Sequence, residues 1–169
     1  MEISAIIREL FNFESPDAVT DWSAVDDSVM GGRSASQLLY CAAGFAVFTG
    51  TVSLAHRGGF ASIRSCVLDL AAPGAQAICL ECCGDGRHYK LNLRTDDAFD
   101  GINYQAGFEG TPHPWRTIHL PVAAFSPTFR GRRIAAPPLD PARIRQVGLM
   151  IAGGQAGAFE LRVRSIRAT

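Results

Sequence analysis

The 169-residue sequence has no excess of charge of either sign, because Lys and Arg together number 16 and Asp and Glu together number 16. Proteins that bind nucleic-acid phosphates, or an anionic membrane surface, usually carry a basic excess. The composition therefore does not favour either of these classes, and we expect no nucleic-acid partner.

Long hydrophobic segments are also missing. The longest apolar run, Leu38–Phe48, is interrupted by Gly44 and is far shorter than the ~20 residues of a membrane-spanning helix. The first nine residues include Glu2, Arg8 and Glu9 and have no apolar core of the kind found in secretory signals. We therefore expect no membrane span, no export signal and a cytosolic location.

The cysteines do not form a convincing metal or redox pattern. The sequence has five of them, Cys41, Cys66, Cys79, Cys82 and Cys83, and an odd number without an export signal favours reduced thiols. Cys79 and Cys82 have CxxC spacing, but their segment is a predicted strand, where residues three apart point to opposite faces. With no second CxxC and no HxH or HExxH pair, we expect no metal site.

Catalytic motifs are absent as well. The sequence contains no GxSxG elbow, no Walker loop and no GxGxxG loop. The paired carboxylates Asp26-Asp27 and Asp96-Asp97 are adjacent residues, and adjacent side chains diverge on extended chain, which makes them poor acid–base partners. We therefore expect a protein that is not an enzyme and needs no cofactor.

What the sequence does contain is a series of short runs that alternate apolar and polar residues, separated by Gly, Pro and Asp. This period is typical of strands with one buried face, and many such strands with few helices predict an all-β sandwich or barrel. The candidate strands are Leu10–Phe13, Leu38–Cys41, Phe45–Val52, Ala61–Val67, Ala77–Cys83, Tyr89–Arg94, Ile102–Phe108, Thr117–Pro121, Gln146–Ile151 and Phe159–Ile166.

Turn and cap residues add detail to this prediction. Ala42-Ala43-Gly44 and Gly84-Asp85-Gly86 are each predicted to close a hairpin, and an Asp-Gly pair suits the positive φ angles of tight turns. Ser15-Pro16 and Asp140-Pro141 each place a cap residue before a first-position proline, which predicts the start of a short helix.

One face of several predicted strands is polar. Every second residue of a strand lies on the same face, so the polar sides are formed by Lys90, Asn92 and Arg94, by Asn103 and Gln105, and by Ser62 and Arg64. Two interpretations remain open. The residues form either an ordinary solvated face or a concave binding face.

A glycine pair, Gly31-Gly32, lies between Asp27 and Arg33. Paired glycines let the backbone come close to a partner, and their amides beside Arg33 could cradle an anion. The plainer interpretation is a tight loop between strands.

A second basic segment surrounds Arg130 in Phe129–Arg133. This patch could grip an acidic partner or RNA phosphates, but it lacks the interleaved aromatic residues of a base-reading RNA surface.

Taken in order, several segments resemble one known family over nearly the whole chain, from about Leu10 to Ile166. They are Trp22, Asp27–Ser34, Phe48–Gly50, Gly58–Arg64, Gly84–Arg87, Tyr89-Lys90, Tyr104-Gln105, Trp115, Pro121, Phe125, Arg130-Gly131, Gln146–Met150 and Gly157–Phe159. The family is the NADH:ubiquinone oxidoreductase complex I intermediate-associated proteins of the thirty-kilodalton type.

This resemblance implies a galactose-binding-like jelly-roll β-sandwich. It also implies a role like that of the mitochondrial relatives, which are assembly chaperones for respiratory complex I and leave before the enzyme is complete. Other relatives join the domain to a dinucleotide-binding domain. We expect residues 1–9 to be an N-terminal extension, residues 10–169 to form one such domain, and no mitochondrial leader or fused domain. The family has no settled catalytic residues to transfer.

Two hypotheses follow for function. In the first, a sheet face docks a polypeptide partner or subassembly, with Trp and Arg as the usual anchors of such contacts. The candidate residues are Arg64, Asn92, Arg94 and Gln105, flanked by Trp22 and Trp115.

In the second hypothesis, the domain binds a carbohydrate or another small ligand. The tryptophans would stack on the ligand, and Asp85 or Asp27 would accept hydrogen bonds from its hydroxyl groups. The alternative for Trp22 and Trp115 is that both are core residues. The oligomeric state is not predicted.

Overall fold

The computed structural model describes residues 5–169, which form two antiparallel β-sheets packed face to face. The predicted all-β sandwich is confirmed, and the described residues contain no α-helix. The strands are β1 (Arg8–Asn12), β2 (Trp22–Ala24), β3 (Ala35–Cys41), β4 (Phe45–Val52), β5 (Ala61–Ser65), β6 (Ala77–Gly84), β7 (His88–Arg94), β8 (Asn103–Glu109), β9 (Arg116–Pro121), β10 (Ser126–Phe129), β11 (Arg132–Arg133), β12 (Gln146–Ile151) and β13 (Gly157–Ala168).

The two sheets have different strand orders. The six-stranded sheet has the order β3-β4-β13-β6-β9, and β1 pairs with one end of β13. The seven-stranded sheet has the order β11-β10-β8-β7-β12-β5-β2. Every described strand pair is antiparallel, and most neighbours in the sheets are not neighbours in the sequence.

The core lies between the sheets and is made by the inward positions of both. In the seven-stranded sheet, Leu91 and Leu149 are fully buried, and in the six-stranded sheet Phe48 and Leu161 are fully buried. Burying a side chain of this size stabilises the fold by about 1.5–3 kcal/mol. The alternation that buries Leu91 points its neighbours on β7 outward, and so it positions the polar face described below.

All ten predicted strands are found, and two, Phe45–Val52 and Gln146–Ile151, have the predicted bounds. The prediction missed β2, β10 and β11. Strand β2 has three residues and β11 has two, which is too short for a period to be visible. Strand β10 contains Pro127, and a proline inside a run argues against a strand unless the strand is near a sheet edge.

Five short 3-10 turns connect the strands, at Pro16–Val19, Asp27–Met30, Ala55–Arg57, Val122–Ala124 and Pro141–Arg143. The two predicted helix starts are confirmed. The side chain of Ser15 accepts a hydrogen bond from the amide of Asp17, and that of Asp140 accepts one from the amide of Ala142.

Of the two predicted hairpins, one is confirmed and one is wrong. Ala42-Ala43-Gly44 joins the paired strands β3 and β4, and Gly44 has a φ of 92°. Gly84-Asp85-Gly86 instead carries the chain from β6 in one sheet to β7 in the other. The turn residues correctly predict a positive φ at Gly86, where the angle is 86°. A tight turn does not show, however, whether the strands on either side of it pair with each other.

The predicted N-terminal extension, residues 1–9, lies partly outside the described residues. Strand β1 begins at Arg8, and Arg8 pairs with Ala168 of β13. Arg8 and Glu9 therefore belong to the six-stranded sheet. No helix in residues 5–169 has the length and apolar character needed to cross a membrane.

Candidate functional site

A cleft of about 860 Å³ crosses the outer face of the seven-stranded sheet. Strands β5, β12, β7, β8 and β10 form its floor. One end is bounded by the β7–β8 loop at Phe99–Gly101, and the other by the glycine-rich segments at Gly58–Phe60 and Gly153-Gly154.

The register of the strands places four positions in one row across this floor. Arg64 of β5 is opposite Gly148 of β12, Gly148 is opposite Asn92 of β7, and Asn92 is opposite Gln105 of β8. Gly148 has no side chain, so the row has a gap between Arg64 and Asn92. The structure thus brings together all four residues that the first hypothesis placed on a sheet face, because Arg64, Asn92 and Gln105 lie in this row and Arg94 lines the same cleft.

The guanidinium groups of Arg64 and Arg94 converge on one carbonyl group. Nη1 of Arg64 donates to the carbonyl oxygen of Phe99 at 3.0 Å, and Nη1 of Arg94 donates to the same oxygen at 3.1 Å. The two Nη1 atoms are therefore no more than about 6 Å apart. In residues 5–169, no carboxylate lies within 4.0 Å of either guanidinium.

The surroundings lower the pKa of both arginines. Burial, followed by the positive charge of Arg94, lowers the pKa of Arg64 to about 10, although Asp100 acts in the opposite direction. Burial also lowers the pKa of Arg94. Both side chains keep their charge at neutral pH, so two like charges are held close together in a partly desolvated place.

The amides of the floor have few strong partners. Asn92 is 8% exposed, and its Oδ1 is buried without a hydrogen-bond partner, as is Oδ1 of Asn103. Nδ2 of Asn92 and Nε2 of Gln105 contact the weak acceptor Sδ of Met150, at 4.0 and 3.6 Å. A buried polar atom without a partner costs about 1–3 kcal/mol, and native proteins accept such costs mainly at functional sites.

The rim of the cleft carries an exposed aromatic ring and an ion pair. Phe99 is 66% exposed, and the guanidinium carbon of Arg64 lies 4.9 Å from the centre of its ring. Beside it, Nη2 of Arg130 is 2.6 Å from Oδ2 of Asp100. Arg130 also lines the cleft, but its charge is already paired with Asp100.

The glycine wall of the cleft is held by Asp27, which is only 1% exposed. Its Oδ1 accepts from the amide of Ser34 at 2.8 Å. Its Oδ2 accepts from the Ser34 hydroxyl at 2.5 Å and from the amides of Gly59 and Phe60 at 2.7 and 3.3 Å. Burial alone would raise the pKa of Asp27, but these hydrogen bonds outweigh it and the pKa is lowered. Asp27 is thus a structural carboxylate with no free oxygen for a ligand.

The neighbouring Asp26 joins strand β3 to strand β5. Its carboxylate accepts from the hydroxyl and the amide of Ser36, at 2.6 and 3.1 Å, and from the amide of Ser62 at 2.9 Å. Burial raises its pKa, and the hydrogen bonds offset this only in part.

The position of Asp27 also explains why glycine occupies two positions of the sequence motifs. A Cβ added to Gly32 would collide with the carboxylate of Asp27, and one added to Gly58 would collide with the same carboxylate and with the carbonyl oxygen of Ser53. The glycines allow the two loops to close on the buried acid. The amides of Gly31 and Gly32 donate to the carbonyls of Ser28 and Asp27, so the predicted anion cradle is a tight loop. Neither these glycines nor the exposed Arg33 lines the cleft.

The remaining candidates lie elsewhere. Trp22 packs its ring against Phe11 and Phe13 next to the core. Trp115 packs on Phe45 and under Arg164 of the six-stranded sheet. Neither tryptophan lines the cleft.

Asp85 is also outside the cleft. Its carboxylate accepts from the hydroxyl of Tyr89 and from the amide of Glu160, both at 2.9 Å. It fastens the crossover between the sheets.

The cysteines behave as the strand prediction requires. Cys82 belongs to the core, whereas Sγ of Cys79 contacts Nδ1 of His119 at 3.0 Å. All five cysteines are free. In the described part of the chain, no group of three or more His, Cys, Asp or Glu residues is placed to hold a metal ion.

Sequence reasoning missed other parts of the cleft. Gln146 and Gly148 line it from β12 and Phe99 lines it from a loop. The alternation of Gln146–Ile151 carries the signal for the first two. Nothing in the local pattern around Phe99 shows that its carbonyl group faces two arginines from other strands.

Comparison with known proteins identifies the family of this chain. Residues 11–163 match the family described as Complex I intermediate-associated protein 30. The chain belongs to the CIA30 family. The predicted resemblance is thereby confirmed, and the match covers every strand that forms the floor of the cleft.

Two relatives come from an animal and a fungus. This chain is 30% identical over 91% of its length to the mitochondrial Complex I intermediate-associated protein 30 of Drosophila melanogaster, and spans 60% of that protein. It is 31% identical over 88% of its length to an uncharacterized protein of Schizosaccharomyces pombe, of which it spans 77%.

Solved structures show the same fold at low sequence identity. The family 11 carbohydrate-binding module of the cellulase Lic26A-Cel5E of Clostridium thermocellum superposes with a TM-score of 0.71 at 16% identity, covering 98% of this chain and 95% of the module. The agarase AgWH50C superposes with a TM-score of 0.63 at 12% identity, over 96% of this chain and 24% of the agarase. The CIA30 chain therefore has the β-sandwich fold of these modules.

Proposed function

We propose that this CIA30-family chain is a non-enzymatic binding module that docks a polypeptide partner in the cleft of the seven-stranded sheet. The name of the Drosophila relative, a complex I intermediate-associated protein, points to an assembly intermediate of complex I as the source of that partner. The relative's name also points to mitochondria, and the cytosolic location expected from the sequence stays a prediction.

The observation that carries this proposal is the convergence of Arg64, Asn92, Arg94 and Gln105 on one cleft floor. Each peptide unit of a bound segment offers one N–H and one C=O group. The amides of Asn92 and Gln105 can pair with both kinds of group, and arginine is a frequent anchor of protein interfaces.

The proposal is tested by native electrophoresis with detergent-solubilised complex I assembly intermediates. We expect the wild-type chain to comigrate with an intermediate and the double variant Arg64→Gln/Arg94→Gln not to do so. Arg162→Gln is the matched control, because Arg162 lies on the other sheet and pairs with Glu160. Comigration of the double variant at the wild-type level would remove the cleft from the proposal.

A second candidate is carbohydrate binding, which the fold favours. A family 11 carbohydrate-binding module from Clostridium thermocellum has been solved with a β-1,3-1,4-mixed-linked tetrasaccharide, and that structure superposes on this chain with a TM-score of 0.66 at 16% identity. In this chain the aromatic residues that line the cleft are Phe60 and Phe99. Titration calorimetry with that tetrasaccharide tests the candidate, and heat that disappears in Arg64→Gln would support it over polypeptide docking.

A further inference from the structure

The two arginines of the cleft have far more donors than acceptors. A guanidinium group has five N–H donors, and those of Arg64 and Arg94 reach only backbone carbonyl oxygens, of Phe99 for both and of Gly101 for Arg94 at 3.4 Å. The arginines of the opposite sheet differ, since Arg162 and Arg164 each pair with a glutamate. In residues 5–169, the cleft pair therefore has no carboxylate within 4.0 Å, and Asp96 and Asp100 act on it only from farther away.

We propose that Arg64 and Arg94 together form the receptor for a carboxylate on the docked polypeptide, so that the cleft selects an acidic segment. This inference rests on the proposed function and names the chemistry of the partner. Two guanidinium groups facing one point can each give parallel N–H donors to a carboxylate, which is the arrangement that arginine forms best.

The surroundings of the pair define more of the segment. Phe99 is 66% exposed beside Arg64, so an apolar side chain next to the acidic residue would cover its ring. Arg64 and Gln105 are three strands apart, which is about 14 Å at the usual strand spacing. The floor thus fits about four extended residues, one of them Asp or Glu with an apolar neighbour.

A randomised 12-residue peptide array, probed with the labelled full chain, tests this inference. We expect Asp and Glu to be enriched at least threefold among the bound peptides. Replacing the acidic residue of the best peptide with its amide should weaken binding at least tenfold. The enrichment should disappear for Arg64→Gln/Arg94→Gln and persist for Arg162→Gln, with circular dichroism melting curves showing that all three proteins are folded.

A conservative variant separates the fork geometry from charge alone. Arg64→Lys keeps the positive charge but loses the planar pair of donors. We expect it to bind the best acidic peptide severalfold more weakly than the wild type and more tightly than Arg64→Gln.

Three results would overturn the inference, and they are distinguishable. Bound peptides without acidic enrichment would refute the carboxylate receptor and leave polypeptide docking intact. Failure of the wild type to bind any peptide would refute both. Binding of phosphopeptides or of oligogalacturonate spotted on the same array, without binding of unmodified acidic peptides, would show that the pair serves a different anion.

Discussion

Strand β5 has a pair of like charges near each end, and the two pairs differ in how fully their hydrogen-bonding groups are used inside the protein. Near its first residue, the buried carboxylates of Asp26 and Asp27 accept hydrogen bonds on all their oxygens from amides and hydroxyls. Near its last residue, Arg64 meets Arg94 over a single shared carbonyl oxygen. At the acidic end, hydrogen bonds inside the protein therefore stabilise both charges, whereas at the basic end no carboxylate of residues 5–169 lies within 4.0 Å of either guanidinium group.

This difference separates a structural role from a binding role. A buried charge whose bonds are all internal holds loops together and offers nothing to a ligand. A charge pair with unused donors contributes little to stability and retains its capacity to bind. Proteins commonly accept reduced stability at such sites, and the contrast can be measured at both ends of β5.

The largest effect is expected from Asp27→Ala. The variant leaves the amides of Ser34, Gly59 and Phe60 without their acceptor in a buried place, which should lower the free energy of unfolding by about 3–5 kcal/mol. Urea denaturation followed by tryptophan fluorescence measures it. The exposed Asp21 provides the control, and Asp21→Ala should change the value by less than about 0.5 kcal/mol. Equal effects of the two variants would contradict the structural role of Asp27.

A somewhat smaller loss is expected from Gly58→Ala. The new methyl group would collide with Asp27 and with the backbone of Ser53, and overpacking of this kind costs about 1–3 kcal/mol. Gly107→Ala is the matched control, because its Cβ would meet nothing closer than the carbonyl oxygen of Tyr89 at 3.8 Å. If the two variants unfold at the same denaturant concentration, the close approach of Gly58 to Asp27 is not needed for stability.

The two aspartates should also respond to pH with opposite signs. The pKa of Asp27 is lowered in the fold, so its stabilising contribution is complete above its ordinary value of 3.8 and is lost as the pH falls further. The pKa of Asp26 is raised, so its contribution is present below 3.8 and is lost as the pH rises through the folded value.

Urea denaturation across a pH series checks these signs. Asp27→Asn should flatten the dependence of stability on pH below 3.8, and Asp26→Asn should flatten it just above that value. The reverse assignment, or two unchanged profiles, would contradict the balance of burial and hydrogen bonding that shifts the pKa values of these two carboxylates.

The smallest effect on stability is expected at the basic end of β5. Arg64→Gln removes one of two repelling charges and should leave the free energy of unfolding within about 0.5 kcal/mol of the wild type. Arg164→Gln loses the ion pair with Glu81 and the contact with the ring of Trp115, which should cost about 1 kcal/mol.

Melting temperatures at low and high salt sharpen this test. Because salt screens the repulsion between Arg64 and Arg94, the stability of Arg64→Gln relative to the wild type should decrease as salt is added. A large loss of stability in Arg64→Gln at low salt would show that the arginine pair is structural after all.

The sequence predicts the floor of the cleft better than its walls. The alternation of Tyr89–Arg94 and Ile102–Phe108 assigns Asn92, Arg94 and Gln105 to one outer face, because the period of a strand is local information. Which strands are neighbours is not local, so the pairing of β12 with β5 and β7 could not be deduced from residue patterns.

The walls depend on contacts between distant loops. Asp27 reaches Gly59 across 32 positions of the sequence, and no spacing rule connects an aspartate with a glycine pair that far away. The roles of the two tryptophans also could not be predicted from the sequence. An aromatic residue in a short segment has the same appearance in a core and in a binding site, and only the packing of Trp22 on Phe11 and Phe13 decides between them.

The central position of β13 constrains how the chain can reach its native state. This strand pairs with β1, β4 and β6. The first described strand, β1, therefore pairs with a strand that lies roughly 150 residues later in the sequence. During synthesis, the ribosome releases β13 after the other twelve described strands, and the six-stranded sheet cannot close before β13 is present. Such remote pairing makes folding slow, and the unfinished sheet exposes strand edges that a molecular chaperone could cover.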